Sequence, residues 1–128
     1  METEYDFSEK VILIVEDIDT SSRFYKAALK TTKAQLILVE SGQTAVEVFN
    51  SSNNIDLVFL DLNLPDFDGF EVLKHIRKTN KELPVVIQTA YMLSGEEEDS
   101  YKLGANDFIT KPITIEVLQK TIAKNLRN

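Results

Sequence analysis

The sequence predicts an α/β domain built on a doubly wound, five-stranded parallel sheet. Three observations carry that expectation. Short apolar runs and amphipathic segments alternate along the chain, five of each. The runs are continuous and rich in β-branched residues, as in strands covered on both faces. The connections are short, and right-handed crossovers with helices on both faces leave few strand orders, of which 2-1-3-4-5 is the expected one.

The elements follow in order. Val11 to Val15 is the first strand. Thr20 to Ser22 offer N-cap side chains to a helix with Phe24, Ala27 and Ala28 inward, at i, i+3 and i+4. Leu36 to Val39 is the second strand, and Ser41 caps a helix carrying Ala45, Val48 and Phe49 on one face. Leu57 to Leu60 is the third strand and ends in Asp61. Pro65 and Asp66 to Gly69 supply turn chemistry, with Asp68 as the cap of a helix lined by Phe70, Leu73 and Ile76. Pro84 opens the fourth strand, Val85 to Ile87. Ser94 and Glu97 have capping-box spacing, and Glu96 to Asp99 place negative charge where the helix dipole favours it. That fourth helix has a thin apolar stripe, Tyr101 with Leu103, and is expected to be the least firmly packed element. Gly104 is its expected C-cap. Phe108 and Ile109 anchor the fifth strand, and Thr114 starts a last helix with Val117, Leu118, Thr121 and Ile122 inward. Residues 10–128 form one domain in this reading, and 1–9 an N-terminal extension or linker.

Composition narrows the function classes. The 128 residues are 43% hydrophobic, enough for one core and not for two. Without cysteine there is neither a disulfide framework nor a thiolate metal site, which fits a reducing, cytoplasmic setting. No apolar run approaches the length of a membrane span, and the first residues lack the pattern of a secretory signal. Fourteen basic against twenty-one acidic residues give a net charge of −7. That charge disfavours nucleic acid and anionic lipid as partners.

In doubly wound sheets, ligands bind beyond the carboxyl ends of the strands, where the order reverses. There the first strand delivers Glu16 and Asp17, the third Asp61, the fourth Thr89 and the fifth Lys111. Glu40 ends the second strand, on the predicted edge and away from the reversal point. Carboxylates brought together repel by roughly 1–4 kcal/mol per pair, so the cluster calls for a cation. Oxygen-only ligands with open positions suit Mg2+, which also accepts phosphate oxygens. Lys111 supplies a point positive charge for a phosphoryl oxygen, and Thr89 can donate a hydrogen bond to another. Asp61 is then placed to act as a nucleophile in phosphoryl transfer.

These residues resemble the receiver domains of two-component response regulators and phosphorelays, a flavodoxin-like (βα)5 fold. The resemblance runs from about Lys10 to Leu126. It rests on Glu16-Asp17, Asp61 within Leu60-Asp61-Leu62-Asn63-Leu64-Pro65, Asp68-Gly69, Thr89-Ala90, Gly104-Ala105 and Lys111-Pro112. It implies Asp61 as phosphoacceptor and modified residue. Asp17 and the Asn63 backbone carbonyl would ligate Mg2+ with Asp61, and Glu16 would act largely through water. Thr89 would bind the phosphoryl group and shift, Phe108 would be the aromatic switch, turning inward as Thr89 moves, and the Lys111-Pro112 bond would be cis. Phe108 stands where many relatives have Tyr, so the switch must read by packing alone. Asn63 and Tyr91 occupy positions that tune autodephosphorylation, and a bulky Tyr91 is expected to hinder the attacking water. The implied partners are a histidine kinase or phosphotransfer domain and a phosphorylation-dependent second copy. The stretch Gln88 to Gly95 resembles receivers attached to hybrid histidine kinases.

Blander readings apply to each residue alone: loop acids for Glu16-Asp17, a turn residue for Asp61, a strand end for Thr89, a surface lysine for Lys111 and core packing for Phe108. The joint placement of Glu16-Asp17, Asp61, Thr89 and Lys111 on one rim reverses their readings; for Phe108 both readings stay open. His75 reads as a solvated helix residue, since Ile76-Arg77-Lys78 does not resemble a phosphohistidine box. Three alternatives compete with this reading. Asp17-Ile18-Asp19-Thr20 resembles the opening motif of haloacid-dehalogenase-type phosphatases, with Asp17 as nucleophile, but the chain has no cap insertion. A flavin module would need hydroxyls where Glu16 and Asp17 would repel its phosphate. A chemically dead receiver-like module conflicts with the complete residue set.

Overall fold

The strands form where the apolar runs predict them: β1 (Val11–Val15), β2 (Gln35–Val39), β3 (Leu57–Asp61), β4 (Val85–Thr89) and β5 (Asp107–Thr110). All pair in parallel in the order β2-β1-β3-β4-β5, as expected. The helices are α1 (Asp19–Leu29), α2 (Gly42–Ser51), α3 (Gly69–Thr79), α4 (Glu96–Lys102) and α5 (Ile115–Leu126), with a 3-10 turn at Lys30–Thr32. The structure is a computed structural model that describes residues 5–16, 19–51, 54–66, 68–90 and 95–126.

Alternation along each strand sorts the core into two layers. Leu13, Val15, Val58, Leu60, Val85 and Ile87 face Ala45 of α2 and Val72, Leu73 and Ile76 of α3. Ile12, Ile14, Leu57, Phe59 and Val86 face Tyr25, Ala28 and Leu29 of α1 and Leu118 and Ile122 of α5. The central strands are buried along their whole length because both faces are covered.

Local caps form at α2, α3 and α5, whereas Thr20 to Ser22, expected to cap the first helix, lie within α1, which begins at Asp19. Asp68 accepts the Phe70 N–H at 2.9 Å, Ser41 Oγ accepts the Thr44 N–H at 3.1 Å, and Thr114 Oγ1 accepts the Val117 N–H at 3.1 Å. Gly104 follows α4 in the left-handed region, φ 107°.

Several expectations about helix faces are corrected. Tyr25 takes the inward place assigned to Ala27, which is exposed. Val117 is 42% exposed, because Leu118, Thr121 and Ile122 set the buried phase of α5 and Val117 lies about 100° off it. On α4 the buried residue is Ser100, whose Oγ donates to Glu96 O, while Tyr101 is 44% exposed. The N-cap of α4 is Gly95, left-handed at φ 87° with no side-chain cap bond. Ser94 itself lies outside the described residues. His75 is half-buried, 2.9 Å from Asn50 Oδ1 and edge-on to Phe49. The segment before β1, read above as extension or linker, contributes Phe7 to the α1/α5 layer, and the Phe7 N–H donates to Thr32 O at 2.7 Å.

Candidate functional site

The register of the strands builds the site. Val15 is level with Leu60, and Asp61 with Gln88. Glu16 and Asp61 therefore end β1 and β3 side by side, on the parity that faces α1 and α5. Thr89 closes β4 on the opposite parity, and Lys111 follows β5, with its N–H donating to Thr89 O at 2.9 Å. The Lys111-Pro112 bond is cis, as the resemblance implied.

Glu16 is 1% and Asp61 4% exposed. Lys111 Nζ donates to Glu16 Oε2 at 2.5 Å and to Asp61 Oδ2 at 2.9 Å. Asp61 Oδ1 accepts the Asn63 N–H at 2.8 Å. The Asn63 amide in turn donates to Thr89 Oγ1 at 3.3 Å. Thr89 is fully buried, and Phe108 is buried in the α2/α3 layer near it. The structure thus brings Glu16, Asp61, Asn63, Thr89 and Lys111 together. Asp17 and Tyr91 lie outside the described residues.

One ammonium does not neutralise two buried carboxylates. Burial pushes the Glu16 carboxyl up to about 7; the Lys111 hydrogen bond opposes this and neighbouring Asp61 adds to it. Burial works against the charge of Lys111, but its bonds to Glu16 and Asp61 outweigh that and raise its pKa. Glu16 Oε1 is buried with no hydrogen-bond partner among the described residues. An orphaned carboxylate oxygen beside a second carboxylate fits a hard, oxygen-seeking cation such as Mg2+. Among the described residues no third acidic or histidine side chain joins this pair; the expected third member is Asp17.

Three contributors escaped sequence reasoning. Gly69 packs so tightly on the end of β3 that a Cβ there would lie 2.4 Å from Asp61 O and 2.8 Å from Leu62 Cα. The sequence marks Gly69 as turn chemistry and as part of the Asp68-Gly69 motif, but gives no sign of this close packing. Gln88, fully buried, accepts a short hydrogen bond from Tyr25 OH, and its Nε2 has no partner among the described residues. A lone polar residue in an apolar strand run was the available signal. Burial first, and then the charge of Glu16, raises the pKa of the Tyr25 hydroxyl, and Gln88 sits level with Asp61 in the sheet, beside the acidic rim. Arg77 spans from α3 to the β5 approach, donating to Gly104 O at 3.0 and 2.8 Å and to Asn106 Oδ1 at 2.9 Å. Nothing in a helix-surface arginine announces that role.

Residues 12–123 match the family model described as the response regulator receiver domain. A cyclic di-GMP phosphodiesterase of Thermotoga maritima is 36% identical over 91% of this chain and 31% of its own length. The sensor histidine kinase RcsC of Salmonella typhimurium is 33% identical over 90% of this chain. This chain spans only 12% of that kinase's length. Among solved structures, the signal receiver domain of a LuxO repressor protein from Vibrio parahaemolyticus superimposes with a TM-score of 0.87 at 31% identity, covering 92% of this chain and 90% of that one. The receiver domain of a sensor histidine kinase from Pseudomonas aeruginosa, solved with a magnesium ion in its active site cleft, gives 0.83 at 27% identity over 93% of this chain and 98% of that one. These comparisons give no support to the haloacid-dehalogenase-like alternative. The chain belongs to the response regulator receiver domains of two-component systems.

Proposed function

We propose that Asp61 is the phosphoacceptor of this receiver domain and that Asp17, Asp61 and the Asn63 backbone carbonyl hold Mg2+ beside it, with Glu16 acting largely through water. The observation that carries this reading is the shared ammonium of Lys111 on Asp61 and Glu16, inside a rim nearly closed to solvent.

A carboxylate oxygen of Asp61 attacks the phosphorus of a phosphohistidine or of a small acyl phosphate. The new P–O bond forms as the P–N bond, or the acyl P–O bond, breaks, and the leaving group keeps that electron pair. Lys111 exchanges its contact with Asp61 for a phosphoryl oxygen. The Thr89 hydroxyl, already engaged by Asn63, donates to another. Mg2+ held by Asp17, Asp61 and the Asn63 carbonyl would supply further positive charge against the phosphoryl group.

Thr89 and Phe108 form the proposed switch pair. Phe108 is already in the core, so phosphorylation acts by stabilising that placement and shifting populations, not by driving an exposed ring inward. The short, weakly buried α4 is the element best suited to respond. Slow autodephosphorylation belongs to the same reading, with Asn63 and Tyr91 governing the approach of water. The donor is proposed to be a cytoplasmic histidine kinase or phosphotransfer domain, and a phosphorylation-dependent dimer an outcome. No helix among the described residues is long and apolar enough to cross a membrane.

The test is intact-mass measurement after incubation with acetyl phosphate and Mg2+. The wild-type chain should gain one phosphoryl mass, and Asp61→Asn should not. An adduct that persists in Asp61→Asn overturns the assignment.

A further inference from the structure

The loop that follows Asp61 is tied to a helix it does not precede. Asp66 Oδ1 accepts the N–H of Gly42 and Oδ2 that of Gln43, each at 2.8 Å, across more than twenty residues of chain. These are the first two amides of α2, which have no acceptor within their own helix. Ser41 serves the next amide, Thr44 N, through Oγ at 3.1 Å, and Ala45 N bonds Ser41 O at 3.0 Å. The α2 N-terminus is therefore capped in two halves: one by its own Ser41, the other by a carboxylate from the acceptor loop. A charged acceptor on two amides at a helix N-terminus is a strong, oriented contact.

The same loop is fixed at its base. Gly69 N donates to Leu62 O at 3.0 Å, Asn63 N to Asp61 Oδ1 at 2.8 Å, and Asn63 Nδ2 to Thr89 Oγ1 at 3.3 Å. These contacts hold the two ends of the loop. Asp66 holds its crest, three residues beyond the Asn63 carbonyl.

We infer that Asp66 is a positioning residue of the phosphoacceptor site: by gripping the first turn of α2 it fixes the loop that presents the Asn63 carbonyl to Mg2+. The inference rests on the Asp61 and Mg2+ reading above.

The experiment measures Mg2+ binding to the unphosphorylated chain by titration calorimetry, with phosphorylation by acetyl phosphate as a second readout. The variants are Asp66→Ala, Asp66→Asn and Ser41→Ala. Loss of an outer contact to a metal site weakens metal binding by about tenfold or more. Asp66→Ala should show that loss and need correspondingly more Mg2+ for half-maximal phosphorylation, while its rate at saturating Mg2+ stays near wild type. Asp66→Asn, which keeps one acceptor oxygen, should fall between the two. Ser41→Ala removes the other half of the α2 cap without touching the loop, and should leave Mg2+ affinity unchanged. Wild-type affinity in Asp66→Ala overturns the inference, as does an equal loss in Ser41→Ala, which would reduce the effect to helix stability. A wild-type chain that binds no Mg2+ and takes no phosphoryl group would instead overturn the underlying reading.

Discussion

Lys111 Nζ lies 2.9 Å from Asp61 Oδ2, joining the end of β3 to the residue after β5. The same nitrogen holds Glu16 Oε2. Lys111 thus bridges the two carboxylates buried at the carboxyl ends of β1 and β3. Removing one partner of a buried ion pair leaves uncompensated charge and costs about 3 kcal/mol or more. Lys111→Met, which keeps the apolar stem, should lose stability of that order in urea denaturation with chelator present, and should regain part of it with Mg2+, which on the proposed reading binds only the folded rim. Equal stability of wild type and Lys111→Met without metal would contradict this.

Glu16 sets a pH dependence of definite sign. Its carboxyl is raised from 4.5 to about 7 by burial first, with Asp61 adding to the effect against Lys111. The folded state therefore binds this proton more tightly than the unfolded state does. The associated stability is present below about pH 4.5 and is lost as pH rises through about 7. In metal-free buffer the contribution is on the order of 1–3 kcal/mol. Comparing urea midpoints at pH 5 and pH 8 for wild type and Glu16→Gln isolates it. The wild type should lose more stability than the variant over this interval. Mg2+ affinity should rise over the same interval, since the cation competes with the proton.

Gly69 and Gly95 separate steric from conformational need. A Cβ at Gly69 would strike the backbone of Asp61 and Leu62, whereas at Gly95, φ 87°, nothing lies within 4 Å. Gly69→Ala should cost about 3 kcal/mol through overpacking and slow phosphorylation, because the atoms displaced belong to the acceptor strand. Gly95→Ala should cost about 1 kcal/mol, the penalty of a left-handed L-residue, with little effect on phosphorylation. Thermal unfolding and acetyl phosphate kinetics of the two variants test the contrast.

Tyr25 and Gln88 form a buried polar pair inside an otherwise apolar layer. Each single change strands the other's polar atom: Tyr25→Phe the Gln88 amide, Gln88→Leu the Tyr25 hydroxyl. Either should cost about 1–3 kcal/mol. The double variant should cost less than the sum, and the double-mutant cycle measures the coupling directly. Additive losses would show the pair to be uncoupled.

The sheet and the site's outline were legible because burial on both faces forces unbroken apolar runs, and the residue after each run falls on the rim. That places Glu16, Asp61, Thr89 and Lys111 without coordinates. The phase of the helices was less legible. Ala27 and Tyr25 both suit an inward position, and only the space beneath the acidic rim selects the tyrosine. Val117 is as apolar as Leu118, and the packing of α5 on β3 decides between them. Long-range polar ties were not legible at all. Asp66 looks like any turn acid, and Arg77 like any helix-surface cation, until the fold brings α2 and the β5 approach to them. Phe7 was read as part of an extension because no run or period marks a single buried aromatic.

The central claim is that the carboxylate of Asp61 forms an acyl phosphate. Acyl phosphates are reduced by borohydride, which converts the modified aspartate to homoserine, so peptide mass mapping after phosphorylation in Mg2+ buffer and borohydride trapping locates the acceptor. The account predicts homoserine at position 61 and nowhere else, dependent on Mg2+. Trapping at Asp17 or another carboxylate, with Asp61 unmodified, would contradict it.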